Sequence, residues 1–122
     1  MPDPSTFPPI FNRLKSILQV YENHLVVTED TLAAYSLNAP FSKKFKKEVF
    51  FGAVMINKNY VSFHLMPVYI YPDLLDGLSA ALKKHMQGKS CFNFKTADES
   101  LFVELEQLTR ASVARVKAEN LL

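Results

Sequence analysis

The chain has 122 residues, of which 48% are hydrophobic and 12% aromatic, with a formal net charge of +2 and one cysteine. This length and composition predict a single domain with a substantial core and exclude a disordered chain. One cysteine cannot form an internal disulfide, no signal-like leader opens the chain, and no apolar run approaches the ~20 residues that span a bilayer. We therefore expect a soluble cytoplasmic protein.

A helix is predicted near each end of the chain. Pro8 and Pro9 suit a first helical turn, where a missing N–H costs nothing. The apolar positions that follow recur on one helical face: Ile10, Leu14, Ile17, Leu18 and Tyr21. Near the other end, Thr96 and Glu99 have the spacing of a capping box. The buried stripe of that helix is predicted to be Leu101, Phe102, Leu105, Leu108, Ser112, Val113 and Val116.

Most of the intervening chain is predicted to be β structure. Residues 49–56 and 60–66 form the clearest strands, and three polar residues at 57–59 allow the tight turn of a hairpin. Shorter runs at 25–28, 32–37 and 91–94 also favour strands.

Three segments of this region interrupt the predicted strands. Residues 38–47 contain a proline and a cluster of lysines, so we expect a surface loop. Residues 68–71 lie between two prolines and should be extended. A helical stretch is predicted over 74–86, interrupted at Gly77 and ended by Gly88.

This order of elements predicts an α+β two-layer sandwich, in which the terminal helices pack on one face of an antiparallel sheet. The two-residue period of a strand then separates two sets of side chains. The set that should face the helices is Val61, Phe63, Leu65, Phe92 and Phe94. The set that should lie on the opposite, open face is Tyr60, Ser62, His64, Cys91 and Asn93.

The segment 86–94, MQGKSCFNF, contains the most reactive candidate, Cys91. Its thiol could be a nucleophile or a metal ligand, because Lys89 would favour the thiolate and lower its pKa below about 8.5. A lone cysteine flanked by aromatic residues is, however, more often an inert packing group, and we favour that interpretation. Ser90 and Lys89 together could hold a small anion through their backbone N–H groups. His64 and Cys91 supply only two ligands, fewer than zinc or iron sites use, so no structural metal is expected.

Two further features have open interpretations. Tyr60, Tyr69 and Tyr71 could line a ligand pocket or serve only in packing. The basic cluster is Lys43, Lys44, Lys46 and Lys47. We interpret it as a solvated loop, because phosphate binding normally uses basic groups spread along a face, and nucleic acid is therefore not an expected partner.

Residues 53–95, AVMINKNYVSFHLMPVYIYPDLLDGLSAALKKHMQGKSCFNFK, resemble the central block of the YdhG-like family. The strings YVSFHLMPVY and KKHMQGKSCFNF are ungapped, and the flanking helices are similar only in character. The resemblance implies a frataxin-like α/β sandwich. It also implies an intracellular iron-chaperone role, which has been assigned to some members, with iron as the bound metal.

The residues around the first helix predict weak iron binding. Frataxins present a row of carboxylates there, whereas this helix carries Arg13 and Lys15. The nearby carboxylates are Glu22, Glu29 and Asp30, and scattered carboxylates make a weak site for a hard cation.

Two function classes follow from these features. The first is a non-enzymatic binding or carrier domain, whose unidentified ligand occupies the open face at Tyr60, His64, Lys89, Ser90, Cys91 and Asn93. The second is a protein-interaction module that docks a partner on the same face without a small ligand. A concave pocket would favour the first, and a flat aromatic patch the second. An enzyme is not expected, because Cys91 has no evident acid–base partner beyond His64.

Overall fold

A computed structural model describes residues 6–42 and 46–119 of the chain. Four α-helices are described: α1 (Phe7–Gln19), α2 (Met66–Ile70), α3 (Ala80–Lys83) and α4 (Glu99–Ala118). Six strands are described: β1 (Val26–Asp30), β2 (Ala34–Ser42), β3 (Lys47–Ile56), β4 (Val61–Leu65), β5 (Met86–Gln87) and β6 (Cys91–Phe94). Short 3₁₀ turns occupy Glu22–His24 and Pro72–Leu75. No helix in these ranges is long and apolar enough to cross a membrane.

All six strands form one antiparallel sheet in the order β1-β2-β3-β4-β6-β5. Helix α1 packs against the sheet and against α4, and α4 contacts the sheet where the ring of Phe102 meets that of Phe94 in β6. The predicted α+β two-layer sandwich is therefore confirmed. Each helix presents an apolar stripe to the sheet because its large side chains recur at three- and four-residue intervals.

The register of the sheet separates its two faces. One cross-strand row joins Tyr35, Val54, Phe63 and Phe92, which are all completely buried beneath the helices. The neighbouring row joins Ser36, Ala53, His64 and Cys91 on the opposite face. Because successive residues of a strand alternate between faces, these rows confirm the predicted division of β4 and β6.

The predicted loop over 38–47 is wrong at both of its ends. Strand β2 continues to Ser42 and β3 begins at Lys47. Residues 43–45, which include Lys43 and Lys44 of the basic cluster, lie outside the described ranges. Pro40 lacks an N–H group. It lies between Ala39 and Ser42, where the register of the pairing between β2 and β3 shifts. An irregularity of this kind lets a strand contain a proline without losing a regular ladder bond.

The segment between β4 and β6 also differs from the prediction. Residues 66–70 are helical rather than extended, because Pro67 occupies the first turn of α2. The predicted helical stretch over 74–86 is correct only in part. Leu74 and Leu75 lie in a 3₁₀ turn and Ala80–Lys83 is α-helical, but Met86 belongs to β5. Gly77 and Gly88 both have positive φ, so Gly88 turns the chain between β5 and β6 and does not end a helix.

The start of α4 is another correction. The predicted capping box used Thr96, but the N-cap of the helix is Asp98, whose carboxylate accepts a hydrogen bond from the N–H of Leu101. The helix begins at Glu99, one residue later. Glu99 accepts hydrogen bonds from the guanidinium of Arg13, and this pair joins α4 to α1.

Candidate functional site

Cys91 and His64 are directly opposite each other on the open face of the sheet. They form a register pair between β6 and β4, and the Sγ atom of Cys91 lies 3.5 Å from Nε2 of His64. The thiol donates a hydrogen bond to Oδ1 of Asn93, at 3.3 Å. This donation leaves the sulfur as an acceptor, an arrangement that fits a His64 ring protonated at Nε2.

Partial burial sets the acid–base character of this pair. Desolvation raises the pKa of the Cys91 thiol and lowers the pKa of His64. Both groups are therefore favoured in their neutral forms. The expected lowering of the thiol pKa by Lys89 is wrong in direction, because burial raises the pKa of Cys91. The ammonium of Lys89 lies over the ring of Tyr69, 5.8 Å from its centroid. The pair has the character of a packed, neutral contact and not of an activated nucleophile.

A concave cleft of about 400 Å³ lies beside this pair, and we call it the Tyr60 cleft. It is located where β4 begins, where β6 ends, and where α3 leads into β5. Its lining residues are Tyr60, Lys84, His85, Met86, Gln87, Asn93, Lys95 and Thr96. Two lysines, one imidazole and two amides thus surround an opening of the size of a small-ligand site.

His85 is held in the cleft wall by three contacts. Its Nδ1–H donates to the carbonyl oxygen of Asn93 at 2.9 Å, and the N–H of Asn93 donates to the carbonyl of His85 at 2.8 Å. Its ring also stacks on Phe94, with centroids 4.7 Å apart and an interplanar angle of 21°. Because a carbonyl can only accept, Nδ1 carries a hydrogen and Nε2 is the nitrogen that remains for a ligand.

A second, apolar groove lies between α2, the 3₁₀ turn that follows it, and the turn between β5 and β6. It has a volume of about 430 Å³, and its lining residues are Val68, Tyr69, Pro72, Leu75, Met86, Gly88 and Lys89. Met86 is the residue that it shares with the Tyr60 cleft.

The structure separates the six predicted site residues into three groups. Cys91, His64 and Asn93 are together, and Asn93 also lines the Tyr60 cleft beside Tyr60. Lys89 lines the apolar groove. Ser90 extends the sheet, because its carbonyl accepts a hydrogen bond from the N–H of Leu65 at 2.9 Å.

Sequence reasoning missed six of the residues that line the cleft: Lys84, His85, Met86, Gln87, Lys95 and Thr96. In a continuous helix over 74–86, Lys84 and His85 would point in different directions and would not be expected to line one cleft. The signal that could have identified them was Gly88, since a glycine between two short polar and aromatic runs also predicts a hairpin.

The three carboxylates near α1 do not converge. Glu22 accepts a hydrogen bond from the hydroxyl of Tyr35, and Asp30 forms an ion pair with Lys15 at 2.7 Å. Glu29 belongs to the row of Ser36, on the opposite face of the sheet from the row of Asp30. Within residues 6–42 and 46–119, no group of three or more His, Cys, Asp or Glu side chains could hold a metal ion.

Comparison with known proteins gives no relative to which these residues could be matched: no family model, curated protein or solved structure matches the chain.

Proposed function

We propose that the chain is a non-enzymatic binding or carrier domain whose small ligand occupies the Tyr60 cleft. The observation on which this proposal depends is that the cleft is concave and has a volume of about 400 Å³. Two of the predicted site residues, Tyr60 and Asn93, line it. A small-molecule site is typically a cleft of this size with a few fixed polar groups. The hydrogen-bonded and stacked His85 is such a group.

The neutral Cys91–His64 pair supports a binding role over a catalytic one. A general base must accept a proton, yet Nε2 of His64 is protonated in the arrangement in which the thiol donates to Asn93. Burial stabilises the unreactive form of both groups. In this proposal the pair fixes Asn93, which in turn forms part of the cleft wall.

The resemblance to the YdhG-like family is compatible with a carrier role and with a cytoplasmic location. The positions of Glu22, Glu29 and Asp30 favour cargo other than iron, because two of these carboxylates already have partners and the third lies on the opposite face. The rival interaction module receives less support, since the central row of the open face consists of Ser36, Ala53, His64 and Cys91 and contains no aromatic patch.

A fragment screen monitored by two-dimensional amide NMR tests the proposal. Fragments that bind should shift the backbone resonances of Tyr60, Gln87, Asn93 and Thr96. Gln87→Trp would fill the cleft and should abolish those shifts. The matched control is Gln107→Trp, because Gln107 is exposed on α4 and does not line the cleft.

Three outcomes would overturn the proposal. The first is that no fragment shifts the cleft resonances. The second is that the fragments instead shift Ser36 and Ala53 on the central open face. The third is that Gln107→Trp weakens binding as much as Gln87→Trp does.

A further inference from the structure

We infer that the ligand of the Tyr60 cleft is a small organic anion, an inference that rests on the proposed binding function. The relevant observation is the charge of the lining, which comes from separate elements of the fold. Lys84 is the C-cap residue of α3, and Lys95 directly follows β6. The cleft thus brings two ammonium groups to one opening, and none of its lining residues within 6–42 and 46–119 carries a carboxylate.

Both lysines are available to a ligand. Each is exposed, and in the described part of the chain neither forms an ion pair. By contrast, Lys15 is paired with Asp30, and Arg115 is paired with Asp73. An anion between Lys84 and Lys95 would gain charge-assisted hydrogen bonds, which are about twice as strong as neutral ones.

The carboxylate of Asp98 interacts electrostatically with His85, which lines the cleft. Hydrogen bonds from Ser100 and Leu101 and the charge of His85 lower the pKa of Asp98, so it is ionised at neutral pH. Its Oδ1 atom is nevertheless engaged at the start of α4, where it accepts hydrogen bonds from the hydroxyl of Ser100 at 2.7 Å and from the N–H of Leu101 at 3.4 Å. Asp98 therefore caps a helix and does not form part of the cleft lining.

The remaining lining residues favour an organic anion over a bare inorganic one. Tyr60 and Met86 provide an aromatic ring and an apolar thioether, which can contact a planar carbon skeleton. Nε2 of His85 and the amide groups of Gln87 and Asn93 can bond to polar atoms at the edge of such a ring. A volume of about 400 Å³ also exceeds what a phosphate or carboxylate group alone would fill.

Four probes of similar size and different charge test this inference. They are benzoate, phenyl phosphate, neutral benzamide and the benzamidinium cation, each titrated into the full chain and followed by amide NMR. The two anions should shift the resonances of Tyr60, Asn93 and Lys95 and should bind at least about tenfold more tightly than benzamide. Benzamidinium should not bind. The ratio between benzoate and phenyl phosphate distinguishes a carboxylate from a phosphate ester.

A charge-neutralising double variant provides the second test. Lys84→Gln with Lys95→Gln should weaken anion binding at least about tenfold and leave benzamide unchanged. The matched control is Lys47→Gln with Lys117→Gln, which removes the same charge from exposed positions outside the cleft. The control should retain anion binding, apart from a small loss that salt screening abolishes.

The outcomes separate this inference from the proposed function. Equal binding of benzamide and benzoate in the cleft would overturn the anionic ligand and leave the binding function intact. Equal loss of anion binding in the two double variants would also overturn it, since net charge alone would then explain the effect. If none of the probes shifted the cleft resonances, the inference would be wrong, and the fragment screen with Gln87→Trp would decide the binding function independently.

Discussion

The thiol of Cys91 lies between two polar side chains, 3.5 Å from Nε2 of His64 and 3.3 Å from Oδ1 of Asn93. Partial burial keeps it protonated, because desolvation raises its pKa. We therefore expect iodoacetamide to alkylate Cys91 more slowly in the native protein than in the protein unfolded by urea, at the same pH. The rate should also begin to rise at a higher pH in the native state. A native rate equal to the unfolded rate would contradict this prediction.

The same pKa shift predicts a loss of stability in alkaline solution. Since the folded pKa of Cys91 is raised, its contribution to stability is complete below the unfolded pKa of about 8.5 and falls as the pH rises through the folded pKa. Urea melts between pH 7 and pH 10 should show this loss in the wild-type chain and a smaller loss in Cys91→Ala. Parallel pH profiles for the two proteins would contradict it.

His64 should make stability depend on pH in the acidic range. Burial lowers its folded pKa, so its contribution is complete above the unfolded pKa of about 6.5 and falls as the pH drops through the folded value. The free energy of unfolding should therefore decrease less between pH 7.5 and pH 4.5 in His64→Gln than in the wild type. His24→Gln is the matched control, because His24 is exposed, and it should preserve the wild-type slope. Equal slopes for the two variants would count against the prediction.

Phe63 should be a major source of stability. Its side chain is completely buried in the core that α1 and α4 form with the sheet. Phe63→Ala should reduce the free energy of unfolding by about 3–5 kcal/mol, through lost apolar contact and a residual cavity. Leu32→Ala removes a side chain that is 94% exposed and should cost less than about 0.5 kcal/mol. Urea melts of both variants give the comparison, and a loss below about 1 kcal/mol for Phe63→Ala would contradict it.

Ferrous iron should bind weakly and without a defined site near α1. The carboxylates of Glu22 and Asp30 are occupied by Tyr35 and Lys15, so they cannot converge on a hard cation without losing those contacts. Anaerobic calorimetric titration should give little heat. A tight stoichiometric isotherm that disappears in Glu29→Gln with Asp30→Asn would show that the prediction is wrong.

The faces of the sheet could be predicted because strand alternation is a local property of the sequence. Phe63 and His64 are adjacent in the chain, and the two-residue period alone assigns them to opposite faces. The pairing of His64 with Cys91 was less certain in advance, since it needed β4 and β6 to be neighbours. A gap in sequence between two strands does not determine whether they pair.

The Tyr60 cleft could not be predicted because its lining depends on long-range pairing. Leu78, Leu82 and Met86 recur at four-residue intervals, so Lys84 and His85 fall within a helical pattern. A short apolar segment of this kind fits a helix and a buried strand almost equally well. Pairing of Met86 with Phe92 decides the outcome and draws the residues before it toward the end of β6. The loop predicted around Pro40 is wrong for a similar reason. A proline ends a regular strand, but it is tolerated where the register between two strands shifts.

The meander of the first four strands has a consequence for folding kinetics. Neighbouring strands from β1 to β4 are consecutive in the chain, so their pairing closes short loops at low entropic cost. The contact of Arg13 with Glu99, in contrast, spans 86 positions. Because local contacts form more readily than distant ones, we expect the meander to be ordered in the folding transition state and α4 to dock afterwards. The sheet face that bears His64 would then form before α4 completes the core on the opposite face.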